Sequence, residues 1–141
     1  MRSTPILLVA ALAACATLWP KKSVETTTAP LDVLMCAAAH GQDLRYKINY
    51  LDSARLRLTL RKPSRAPTSA EADALRNTDQ IELWLAPTPS GGTRATVRAG
   101  TIFAEETKRG PTDSDVPASP GVRADADTIL ARCATPASAS S

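Results

Sequence analysis

Aromatic side chains are scarce in this sequence, with two Trp, two Tyr and one Phe in 141 residues. A core must therefore be built from Leu, Ile, Val and Ala, and a domain of roughly a hundred residues made this way gains from a covalent staple. Histidine occurs once, as His40. Any Ser-His-Asp or Cys-His arrangement would have to use it, yet it falls at the end of an expected helix, where an imidazole serves the last carbonyls. With one His and no Cys/His cluster along the chain, a zinc site lacks its ligands, so no metal or cofactor is expected. Blocks of like charge are absent, and a net charge of +3 is too mild to point to nucleic acid. Nor is there a phosphate-cradling glycine loop, because Gly91-Gly92 sits in a turn between two alternating runs. Asp113, Asp115, Asp125 and Asp127 have the i, i+2 spacing of a calcium loop without its Gly and terminal Glu, and read as solvated charges.

What the chain does have begins at its amino terminus. Arg2 precedes an apolar run from Ile6 to Leu12 and then small residues, the order of a secretory signal over residues 1–14. That run is too short to span a bilayer as a helix. Leu12-Ala13-Ala14-Cys15 resembles the lipobox of bacterial lipoproteins, in which the Cys thiol is acylated and becomes the first mature residue. The resemblance covers the leader alone. It implies an anchor at Cys15, and Ala16 behind it resembles the outer-membrane type, which places the domain at the envelope, facing the periplasm. Residues 15–29 then read as a polar tether between lipid and domain. Two other readings stay open: a leader cut by ordinary signal peptidase after Ala14-Cys15-Ala16, and an uncleaved anchor reaching Trp19.

Residues 30–134 read as one α+β domain, and 135–141 as a disordered tail. Pro30 and Gly41 bracket an apolar helix over Leu31 to His40, apolar nearly all round and so packed on more than one side. From Leu44 the period becomes two. Leu44, Tyr46, Ile48 and Tyr50 alternate with polar residues, and after a turn Leu56, Leu58 and Leu60 alternate with Arg55, Arg57 and Arg61, which makes a hairpin. Pro63 to Thr78 connects, with a capping-box stretch at Thr68 to Glu71. Ile81, Leu83 and Leu85 then pair with Ala95, Val97, Ala99, Thr101 and Phe103 as a second hairpin. Glu105 to Gly121 reads as a surface loop, and Val122, Ala126, Ile129, Leu130 and Cys133 fall at helical spacing. The expected architecture is an antiparallel four-stranded sheet of two hairpins, with an N-terminal and a C-terminal helix on one face.

Setting Cys15 aside, Cys36 and Cys133 remain, an even count in an exported chain, and they are expected to form a disulfide between the two helices. Strand alternation gathers Arg45, Lys47, Arg55, Arg57, Arg61, Arg94 and Arg98 on the polar face of the sheet, with Trp84 beside Glu82. Such a face suits an acidic partner such as a lipid headgroup, a glycan acid or another protein, and it equally suits solvated side chains that block edge pairing. With no catalytic constellation, the function read from the residues is a lipid-anchored, non-enzymatic binding or accessory protein of the envelope. The rival is a soluble periplasmic enzyme or inhibitor whose site is not recognisable in the sequence.

Overall fold

The leucine-rich positions of the alternating runs do share one side of a sheet. The computed structural model describes residues 18–64 and 76–135, in the order β1 (Lys21–Thr26), α1 (Pro30–Asp43), β2 (Lys47–Asp52), β3 (Arg57–Pro63), β4 (Arg76–Pro87), β5 (Thr93–Thr107), β6 (Gly110–Val116) and α2 (Pro120–Cys133). The leader 1–14, Cys15, the 68–71 capping stretch and all but the first residue of the 135–141 tail lie outside the described residues.

The fold is α+β, but the sheet has six strands rather than four. They run in the order β1-β5-β4-β3-β2, all antiparallel, and β6 also pairs β5. β5 is long enough to carry two partners end to end on one edge. β1 lies along Thr93 to Arg98, and β6 along Thr101 to Thr107. Both additional strands correct the sequence reading. β1 falls inside the stretch read as tether, and β6 inside the stretch read as loop. Each is an edge strand rich in charge or small polar residues, the composition that keeps an edge from pairing with another chain. β6 turns back from β5 at Gly110, whose φ of +107° is open to glycine.

α1 packs against β2, β3 and β4, and α2 against β4 and β5, with the two helices touching. The core is one cluster in which Leu58, Leu60, Ile81, Leu83, Val97 and Ala99 from the sheet meet Val33, Leu34, Ala37, Val122, Ala126, Ile129 and Leu130 from the helices. At about 1.5–3 kcal/mol for each large apolar side chain, this burial outweighs surface ion pairs worth about 0–1 kcal/mol.

Three local details differ from the alternation. α1 continues through Gly41 to Asp43, because Gly41 faces the sheet: a Cβ there would lie 2.4 Å from Leu60 Cδ1. Its role is close packing, not termination. The helix also leaves Leu31 and Met35 exposed, so it is buried on one side only. In β2 an irregularity between Ile48 and Tyr50 shifts the register, so that Tyr50 lies opposite Thr59 on the polar face of the sheet.

α2 begins where expected. Ser119 caps it, its Oγ accepting from Val122 N, and Pro120 occupies the first turn. The same Ser119 Oγ donates to the buried Asp79 carboxylate, which also receives Thr101 Oγ1, while Ser119 N donates to Thr101 Oγ1. A carboxylate at a helix N-terminus is favoured by the dipole, and here it fastens α2 to β4 and β5.

Candidate functional site

Directly opposed residues on neighbouring strands share a face, and the register assembles the polar face row by row. Asp52, Arg57, Trp84, Thr96 and Ser23 form one row; Tyr50, Thr59, Glu82, Arg98 and Lys21 form the next; Lys47, Arg61, Gln80 and Gly100 form the third. Five of the basic residues expected here, Lys47, Arg57, Arg61, Arg94 and Arg98, do lie on this face. Arg45 and Arg55 do not. Arg45 stands in the turn after α1 at φ 71°, and Arg55 in the turn between β2 and β3, 3.9 Å from Asp52.

The cations are also less exposed to one another than strand alternation implies. Arg98 donates through Nε to Glu82 Oε2 at 2.7 Å, Arg94 makes a bidentate contact with Glu25 Oε1, and Arg61 donates to Gln80 Oε1. Gln80 in turn donates to Glu82. Among the described residues, Lys21, Lys47 and Arg57 have no carboxylate at ion-pair distance, and they are the cations left to meet a ligand.

Trp19 organises the edge of the face where β5 carries β1 and β6. Its indole lies over Gly100 and is 8% exposed, and its Nε1 donates to Val116 O at 3.1 Å, tying the strand edge together where β1 and β6 meet end to end. The Arg98 guanidinium is 5.1 Å from the Trp19 ring and 5.6 Å from the Trp84 ring, and Lys21 Nζ is 5.9 Å from Trp84. Each such contact is worth about 0.5–2 kcal/mol depending on desolvation. Beyond Trp84, a shallow depression of about 140 Å³ is lined by Tyr50, Arg57, Thr59, Glu82 and Trp84. Ligand pockets for larger molecules run to ~300–1,000 Å³, so this one suits a single small group. Tyr50 is held in place by its hydroxyl, which donates to Asp52 at 3.0 Å. Asp52 sits below the usual carboxylate range because the Arg55 backbone N–H, then that hydroxyl, then Ala54 N–H donate to it. Sequence reasoning missed Trp19, Lys21 and Tyr50. Trp19 and Lys21 stood in the presumed tether, and Tyr50 changed faces at the bulge.

A second polar cluster lies between sheet and helix. Tyr46 Oη donates to Asp125 Oδ2 at 2.9 Å, and Lys62 Nζ donates to the same oxygen at 2.6 Å and to Leu44 O at 3.1 Å, with Lys62 4.3 Å from the Tyr46 ring. Asp125 and Asp127 were expected to be solvated. Asp125 instead joins α2 to β3, whereas Asp127 is solvated as expected, in an exposed pair with Lys22 of β1 at 3.3 Å. The donors are used internally, so the cluster fastens rather than binds. Burial first, then the Asp125 hydrogen bond, push the Tyr46 phenol well above its ordinary value near 10. A phenol whose folded pKa is raised stabilises the fold fully below its unfolded pKa, and the contribution is lost as pH rises. Stability is therefore expected to fall from about pH 10 upward, and Tyr46→Phe, costing about 1–2 kcal/mol at neutral pH, should flatten that alkaline limb of a denaturant titration.

Cys36 and Cys133 form the expected disulfide, with Cα atoms 5.6 Å apart. His40, one helical turn after Cys36, brings its ring nitrogen within 4.8 Å of both sulfurs. The expectation that no Cys/His cluster exists is thus corrected in space. While the sulfurs are bonded to each other, neither offers a thiolate, which is the form that ligates a metal. His40 Nδ1 also stands 3.8 Å from Asp43 in the last turn of α1.

No protein-family model matches the sequence, and no curated protein is significantly similar to it. Among solved structures, the crystal structure of Ara h 8.0201 is similar over 82% of this chain and 93% of that one, with a TM-score of 0.51 and 14% identity. At that identity the likeness carries the fold alone. Among the described residues, no helix is long and apolar enough to cross a membrane.

Proposed function

We propose that this chain is an exported, lipid-anchored envelope protein, acylated at Cys15 and held at the outer membrane facing the periplasm, that works without catalysis by binding an anionic group on the polar face of its sheet. The observation that carries the binding half is the depression where Arg57, Tyr50 and Trp84 converge. A planar guanidinium in one depression with two aromatic residues suits a phosphate or carboxylate attached to a small apolar or sugar body. The anchoring half is carried by Leu12-Ala13-Ala14-Cys15.

Each half has its own test. Cys15→Ser should stop signal processing and release the protein from membranes. A variant that is cleaved and fractionates like wild type refutes the anchor. For the face, Arg57→Glu and Lys21→Glu are the informative substitutions, because neither side chain meets a carboxylate at ion-pair distance among the described residues. Together they should weaken binding to envelope extracts at least about tenfold, the equivalent of about 1.4 kcal/mol, and leave the residual binding less sensitive to salt. Arg98→Glu would mislead, since it sets a carboxylate against Glu82 and removes the cation between two indoles. Unchanged binding by the Lys21/Arg57 variant would reduce the face to solvated charge.

A further inference from the structure

The folded domain starts nearer to Cys15 than the sequence alone suggests. Trp19 is already packed on the sheet, and only Ala16, Thr17 and Leu18 separate it from Cys15. Four residue steps span at most about 14 Å however the chain runs. A linker of fifteen residues would let a domain swivel freely; one this short does not, since a domain of about a hundred residues has a radius of gyration near 13 Å. An acylated Cys15 sits at the headgroup layer by virtue of its acyl chains. Trp19, and whatever shares its surface, must then stand next to that layer.

What shares its surface is the polar face. The Trp19 ring lies over Gly100 on the side that bears Lys21, Arg98, Trp84 and Arg57. Strands lie about 4.8 Å apart and residues about 3.4 Å along a strand, so the three spacings from β1 across β5 and β4 to β3, with two residue steps along the strand, put Arg57 roughly 16 Å from Lys21 at the start of β1. Over the rows from β1 to β2, six cations among the described side chains (Lys21, Lys47, Arg57, Arg61, Arg94 and Arg98) stand against three carboxylates (Asp52, Glu25 and Glu82), while Glu106, Asp113 and Asp115 share the face at its β5–β6 end, beyond Gly100. Trp and Tyr carry the amphipathic rings that settle at a membrane–water interface, and Tyr50 and Trp84 line one depression with Arg57, which has no carboxylate at ion-pair distance among the described residues.

Resting on the anchored reading above, we infer that the anionic ligand of this face is the phosphate of phospholipid headgroups in the leaflet that holds the Cys15 acyl chains. The rows from β1 to β2 lie down on the membrane, with Lys21 and Arg57 on phosphates and Trp84 at the headgroup boundary, and the acidic β6 end of the face stands off it. The helices, and with them Leu31 and Met35 of α1, are turned toward the aqueous side.

Trp19 and Trp84 are the only tryptophans of the chain, which allows a direct test. The acylated full-length protein is purified from membranes and reconstituted into vesicles of phosphatidylglycerol and phosphatidylcholine whose acyl chains are brominated near the headgroup. The difference in emission between wild type and Trp84→Phe reports Trp84. Loss of that emission in brominated vesicles is expected, with recovery in Lys21→Glu/Arg57→Glu and when a Gly/Ser linker of about fifteen residues is inserted between Thr17 and Leu18. Far-ultraviolet dichroism checks that each variant is folded. Where mass spectrometry shows acyl chains on Cys15 and Trp84 emission is nevertheless the same with and without bromine, the orientation is overturned while the anchor stands. Where the Cys15 peptide carries no acyl mass, the anchor itself fails, and the inference with it.

Discussion

Reducing the Cys36–Cys133 bridge is expected to lower the stability of the domain by about 3–5 kcal/mol. The bridge closes a loop with a sequence separation of 97 residues. Loop-closure entropy sets an upper figure of about 4.7 kcal/mol for a loop of that size, and removing native bridges from small exported domains typically costs about 2–5 kcal/mol. Against the usual total of about 5–15 kcal/mol, that is a large share. Geometry explains the dependence. Cys133 is the last residue of α2, Cys36 lies midway along α1, and the bridge spans both helices where they meet over the sheet. α1 keeps Val33, Leu34, Ala37 and Ala38 buried without it, so the reduced chain should retain its fold at a lower urea midpoint rather than lose it. Urea titrations with and without a dithiol reductant give the shift, and Cys36→Ser/Cys133→Ser should match the reduced wild type. A shift below about 1 kcal/mol would mean that the two helices are held mainly by their side chains.

This bridge was legible in the sequence because the expectation needed only an even cysteine count, once Cys15 was set aside, and a leader read as an export signal, not a register. The helices and the three inner strands, β3, β4 and β5, were legible for a related reason, whereas β2 is an edge strand exposed along nearly all its length. Leu58, Leu60, Ile81, Leu83, Val97 and Ala99 are buried, and burial on one face is what writes a period into a strand. β1 and β6 bury almost nothing. β1 places Val24 and Thr26 inward among Lys and Glu, and β6 is exposed along most of its length, so both depend on hydrogen bonds to β5, which no composition records. The polar face was half legible. Alternation located Arg57, Trp84 and Arg98, but it could not foresee that a bulge would bring Tyr50 to them. Nor could it show that Glu25 from a presumed tether would neutralise Arg94. The two additional strands and the Trp19 ring came from segments that have no pattern of their own.

Trp19 is where those two segments meet, and substitutions around it should show the second large effect. Trp19→Ala is expected to cost about 3–5 kcal/mol, the range for deleting a buried aromatic side chain. It also leaves Val116 O without its indole donor and frees the edge where β1 and β6 meet. Gly100→Ala attacks the same contact from the other side. A Cβ at Gly100 would stand 2.0 Å from Trp19 Cδ2 and 2.1 Å from Cε2, in the middle of a rigid ring that cannot give way locally. The indole would have to lift from the sheet, an overpacking cost of about 1–3 kcal/mol. The two costs cannot add, because each substitution removes what the other acts upon. With Trp19 already truncated, an alanine at position 100 meets open space, and in a strand interior it is favoured over glycine by about 0.5–1 kcal/mol. Gly100→Ala should therefore be destabilising alone and neutral to stabilising in the Trp19→Ala background, a coupling of about 2–3 kcal/mol in a double-mutant cycle. Urea midpoints of the four proteins measure it, and additive costs would mean that the indole does not rest on Gly100. On the membrane orientation inferred above, in which Trp19 limits the distance from the sheet to Cys15, the destabilised single variants should lose Trp84 quenching along with the strand edge, whereas Tyr46→Phe, on the helix side of the sheet, should leave that quenching unchanged.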